Sequence, residues 1–184
     1  MGVSPRLLER AKSGDTVAQC RIADRLMSPE RPSAYRAAMP WLRRAASQER
    51  WAAYHLGLIY DHGLGVRPNR TAAISWYEQA AAKRFDSAQL NLGIILANLP
   101  GGKRDEARAV RLYRSAARQG NRNAAYNLGL YYSEGRGVAR NLRMARRWFE
   151  QAAAKGDRDA ARTLRSLDPV ANQRLQRTAL PRRR

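Results

Sequence analysis

Cysteine, histidine and acidic residues are all scarce in this 184-residue chain, and each shortage narrows what it can do. A single cysteine, Cys20, rules out an internal disulfide. The longest apolar stretches, "LGLIY" and "LGIILA", fall far short of a bilayer-spanning helix. The opening "MGVSPRLLERAKSGD" has no apolar h-region of a secretory signal, and Arg6 breaks the myristoylation pattern. The expectation is a soluble, cytoplasmic chain.

Carboxylates number 15 against 35 Lys plus Arg, a formal net charge of +20, and only four of the basic residues are lysine. A field of that sign attracts acidic proteins, nucleic acid or anionic membrane. Solvated, arginine-rich helix faces would give the same composition. At 44% hydrophobic residues the chain can bury a core and does not have the composition of a disordered protein.

What is abundant is self-similarity. Leu56, Leu92, Leu128 and Leu164 are 36 residues apart, and Gly57, Gly93 and Gly129 follow the first three. Ala52, Ala88, Ala124 and Ala160 keep the same spacing, as do Ala80-Ala81, Ala116-Ala117 and Ala152-Ala153. Trp76, Leu112 and Trp148 form a further column, flanked by Tyr77, Tyr113 and Phe149. A fixed period of this length is the signature of a repeat array.

Within each unit the apolar spacing is helical. Ala52, Leu56 and Tyr60 stand at i, i+4 and i+8, and after a glycine turn Ala73, Trp76, Tyr77, Ala80 and Ala81 form a second stripe. Each unit therefore reads helix, turn, helix, and one unit cannot bury its stripe without a stacked neighbour. The turns "DHGLGVRPN" (61–69) and "SEGRGVARN" (133–141) contain glycines suited to reversing the chain, with Asn69 and Asn141 placed as N-caps. A phosphate loop would need a preceding strand and GxxxxGK[ST] or GxGxxG, and both are missing.

On these residues, above all 52–83 and 124–157, the chain resembles the Sel1-like repeats, relatives of the tetratricopeptide repeat. The resemblance implies an all-α fold, an α-solenoid of stacked helix-turn-helix repeats. It also implies roles in bacterial signalling, assembly or secretion-related complexes. The expected organisation is a capping helix (1–13), four repeats within 14–156 (about 14–49, 50–85, 86–121 and 122–156), a second capping helix (157–167), and a basic tail (168–184) expected to be disordered. The first unit lacks GxGV, and Pro40 just before Trp41 predicts a second helix that is kinked or begins late.

The residues offer no catalytic constellation. His55 and His62 lie seven residues apart, about 10 Å along a helix axis, too far for one metal. Cys20 has no histidine in its repeat and reads as a half-buried thiol. Glu78 and Glu150 are equivalent repeat positions, and Asp105 and Glu106 suit a helix N-terminus. The expectation is a protein that is not an enzyme and requires no cofactor and no metal.

By analogy with tetratricopeptide repeats, the first helices would line a concave groove. Its columns would be Tyr54, Leu90 and Tyr126; His55, Asn91 and Asn127; and Leu58, Ile94 and Leu130. Rings and aliphatic groups would bury side chains of a bound peptide, while the asparagines would meet its backbone. The alternative is that the Tyr and Leu columns only pack between repeats. Arg108, Arg111, Arg114 and Arg118 run along another face, and Arg143 and Arg147 extend it. The expected partner is a protein or extended peptide of acidic character; the alternative is nucleic acid on the arginine face and tail.

Overall fold

The computed structural model describes residues 3–28, 31–99 and 102–167, so the expected tail at 168–184 lies outside them. Among the described residues there are ten helices and no strand. They fall into two compact units, Met1–Ile95 and Leu96–Arg184. No described helix is long and apolar enough to cross a membrane.

The first unit holds α1 (Pro5–Lys12), α2 (Thr16–Leu26), α3 (Pro32–Ala45), α4 (Arg50–His62), α5 (Arg70–Ala82) and most of α6 (Asp86–Ala97). From α1 to α5 each helix packs on the next. Side-chain caps start several of them. Ser4 accepts from the Leu7 amide, Asp15 from Ala18 and Asn69 from Ala72. Each cap supplies an acceptor to a helix-start amide that has no intrahelical partner.

The core explains the Leu-Gly column. Leu56 and Ile59 of α4 and Tyr77 of α5 are fully buried. Gly57 sits where an added Cβ would stand 2.5 Å from the Tyr77 ring. A mid-helix glycine costs about 1 kcal/mol against alanine. Here that cost is offset because only glycine lets the ring close over the helix.

At Pro40 the late start, one of the two expected outcomes, does not occur: the helix begins at Pro32 and runs through Pro40 to Ala45. Pro40 and Arg36, whose carbonyl the proline ring cannot bond, are both exposed residues.

The second unit contains α7 (Lys103–Arg118), α8 (Arg122–Glu134), α9 (Leu142–Ala154) and α10 (Arg158–Leu167), each packed on the next. Asn121 and Asn141 cap α8 and α9 by accepting from the amides of Ala124 and Met144. Gly129 repeats the Gly57 arrangement, with an added Cβ falling 2.6 Å from the fully buried Phe149 ring.

Candidate interaction surfaces

The glycine corners are structural. Gly63 ends α4 in the left-handed region at φ 67°, and the amides of Gly63 and Leu64 both donate to the Ile59 carbonyl. Asn69 N–H then closes the corner on the Tyr60 carbonyl at 2.8 Å, and Asn141 repeats this on Tyr132 at 2.8 Å. Amides used in this way close the helix end and are not offered to an anion. In the second unit the corner also seals a joint. An added Cβ on Gly137 would meet Glu106 and Ala107 backbone at 2.4–2.5 Å.

Beside it, Arg136 donates to Glu106 at 2.9 Å and stands 4.5 Å over the Tyr131 ring. The hydrogen bond to Glu106 is the main reason its guanidinium is held above the usual arginine range. Sequence reading did not pick out Arg136, although it stands between the two corner glycines where the first unit has Leu64.

The residues considered for chemistry are quiet. Cys20 is half-buried, and burial, reinforced by Glu49, pushes its thiol up to about 11. The thiolate needed for nucleophilic attack is therefore rare at neutral pH. His55 stacks on Trp51 at 4.1 Å, and burial lowers its pKa against a smaller opposing pull from Asp24. His62 is exposed at the end of α4. Among the described residues no group of three His, Cys, Asp or Glu could hold a metal ion.

In the first unit, the expected groove residues divide by burial. Leu90 is buried at 8% exposure and so belongs to the core, whereas Ile94 is 40% exposed. Tyr54 is half-buried, its ring 4.9 Å from Phe85 and 6.0 Å from Tyr77. Asn91 donates to the Tyr77 hydroxyl at 3.2 Å, and that hydroxyl donates to Asp61 at 3.3 Å. Asn91 is thus already engaged within the protein. Leu58 and His55 are half-buried on the same helix as Tyr54.

This first-helix face continues onto α2. Val17, Cys20, Arg21, Asp24 and Trp51 line an open cleft of about 270 Å³, large enough for one bulky side chain. Val17 is 50% exposed. Trp51 and Val17 are equivalent repeat positions, one turn before the columns read from the sequence. Their exposure depends on how α2 and α4 pack, which periodicity alone does not reveal.

In the second unit, Tyr126 leans on Phe149 at 5.6 Å, and Asn127 and Leu130 are half-buried along α8. On the second helices, Arg108, Arg111, Arg118, Arg143 and Arg147 are exposed. Arg114 turns inward, donating to the Tyr132 hydroxyl at 2.8 Å. Arg43 does the same for Tyr60 at 2.7 Å in the first unit. In both cases a second-helix arginine reaches the last tyrosine of the following first helix.

Four successive stretches, 16–49, 52–84, 86–121 and 122–157, match the Sel1 repeat. Among solved structures, a protective antigen of uropathogenic Escherichia coli with an SLR fold is 36% identical over 89% of this chain, with a TM-score of 0.78. A Sel1 repeat protein from Oxalobacter formigenes is 28% identical over 88%, with a TM-score of 0.75. The chain spans 36% and 47% of the lengths of those two proteins. The Helicobacter pylori cysteine rich protein B shares the fold at a TM-score of 0.55, 21% identical over 70% of this chain and 92% of its own. No curated protein matches the chain significantly.

Proposed function

Because the chain belongs to the Sel1 repeat family, we propose that it is a non-enzymatic scaffold holding a protein or extended peptide against its first-helix face. Proteins of this family are generally interaction scaffolds. One observation carries the choice of face. Of the three large hydrophobic residues exposed among the described residues, Val17 and Ile94 both lie on first helices. Between them in sequence stand the half-buried Trp51, Tyr54 and Leu58. Exposed apolar groups beside half-buried rings suit side chains of an incoming segment, which would be desolvated at low entropic cost.

In the second unit the corresponding contacts are Tyr126, Asn127 and Leu130, with the Asn127 amide meeting peptide backbone. The raised Cys20 thiol and the separated histidines support a binding role over a catalytic one. The partner is acidic overall, matching the net charge of +20.

Selection of binders from a random peptide library against the full chain tests this reading. The selected peptides should carry bulky apolar residues and lose at least about tenfold in affinity against Val17→Asp/Ile94→Asp, about the 1.4 kcal/mol that one decade represents. Equal binding to the variant, confirmed as folded by circular dichroism, would refute the choice of face.

A further inference from the structure

Apart from Arg21 on α2, the positive charge is not on the first-helix columns. Those columns are Tyr, Leu, Ile, His and Asn. In the second unit the second helices carry exposed arginines instead, and four of them, Arg111 and Arg118 on α7 and Arg143 and Arg147 on α9, share a face. We infer that this outer face of α7 and α9 is a docking surface for a carboxylate-rich protein segment, separate from the apolar first-helix face. The inference rests on the scaffold reading above and assigns the acidic part of the partner to its own surface.

The four arginines share a register. Arg111 and Arg147 are the same repeat position one period apart. At 3.6 residues per turn, all four repeat positions fall within about 60° of one another around the helix. The two helices meet near their C-terminal ends, where Gln151 of α9 donates to the Ala117 carbonyl of α7 at 2.7 Å. Their side chains therefore emerge on one surface.

None of the four makes a hydrogen bond, ion pair or ring contact with another described residue. The carboxylates of these helices serve elsewhere: Glu106 holds Arg136 and Glu150 pairs with Arg146. The fold does not demand arginine here either. The equivalent positions of α5 are Thr71, Ser75 and Ala82 on the same kind of helix. Four guanidinium forks with no internal partner are suited to bidentate carboxylate binding.

A nucleic acid would also meet this charge, but the face lacks what would grip one. Neither helix stands free to enter a groove. The rings they carry, Tyr113 and Phe149, are buried and Trp148 is half-buried, so none is presented for stacking.

Fluorescence anisotropy on the full chain in about 0.15 M salt decides the matter. The probes are a labelled peptide of about ten glutamates and a duplex of about 20 base pairs. The wild-type chain should bind the peptide, and Arg111→Glu/Arg147→Glu should weaken it at least about fivefold. The control Arg25→Glu/Arg70→Glu makes the same change in net charge in the first unit and should weaken it no more than about twofold.

Failure to bind the peptide, or equal losses in both variants, overturns the inference. So does a duplex that loses more than the peptide in Arg111→Glu/Arg147→Glu, which would make the face a nucleic-acid surface. Melting curves establish that both variants fold. The Val17 and Ile94 variant should bind the glutamate peptide unchanged, so failure of the first-helix reading is seen separately.

Discussion

Gly129 and Phe149 are fitted to each other: a Cβ on the glycine would lie 2.6 Å from the ring edge. The ring is fully buried and the glycine faces it from the middle of α8. Gly129→Ala should therefore destabilise the second unit by about 1–3 kcal/mol through overpacking, despite alanine's better helix propensity. Phe149→Ala should cost about 3–5 kcal/mol. In Gly129→Ala/Phe149→Leu, denaturant melts should show a total below the sum of the single changes, because the smaller side chain makes room for the methyl group.

Arg84 is the one non-glycine residue at positive φ among the described residues, at 59°. The matching positions in the third and fourth repeats, Gly120 and Gly156, and Gly14 after the first helix are at positive φ, whereas Gln48 in the first repeat is not. Left-handed backbone costs a branched-Cα residue about 1–2 kcal/mol. Part of the gain from glycine is offset by its larger unfolded-state entropy. Arg84→Gly should leave a net stabilisation of about 0.5–1 kcal/mol, visible as a higher melting temperature. Gly120→Ala should shift it down.

The Cys20 thiol gives a pH-dependent readout. Its folded value of about 11 lies above the ordinary thiol value of 9.0, so the fold disfavours the thiolate. That contribution to stability is complete below pH 9.0 and is lost as pH rises toward about 11. At pH 8 the thiolate fraction should be about a hundredfold lower than in unfolded chain, and alkylation slower to match. Alkylation at the unfolded rate under native conditions would contradict this.

Arg136 is held by Glu106 and by the Tyr131 ring, yet Leu64 occupies the same corner position in the first unit. The ion pair is partly exposed, so it contributes little after solvent screening. Arg136→Leu should change stability by no more than about 1 kcal/mol, and the stability of the wild type should fall slightly with added salt where that of the variant does not.

The repeat period gave direct access to the parts of the fold set by local chemistry. Asn69 and Asn141 cap as their spacing predicts, and Gly63 and Gly65 take positive φ. Residues whose role depends on a neighbouring helix were harder to read. Leu90 and Ile94 share a helix, yet one is buried and the other exposed. Asn91 looked available in sequence but is engaged by Tyr77, sixteen residues beyond the Asp61 that shares the hydroxyl. Pro40 stays inside its helix, on an exposed stretch, although it removes a backbone hydrogen bond. The arginine register was legible, but that Arg114 turns inward while Arg111 does not depends on where Tyr132 stands.

Among the described residues, the main helix–helix packing within each unit joins helices adjacent along the chain. Most of that packing can form without waiting for a distant stretch to arrive. Such short loop closures favour rapid folding, and a pair can form while later residues are still being synthesised on the ribosome. The same locality makes damage local: a lesion in one pair should fray its immediate neighbours before it reaches the far end of the unit.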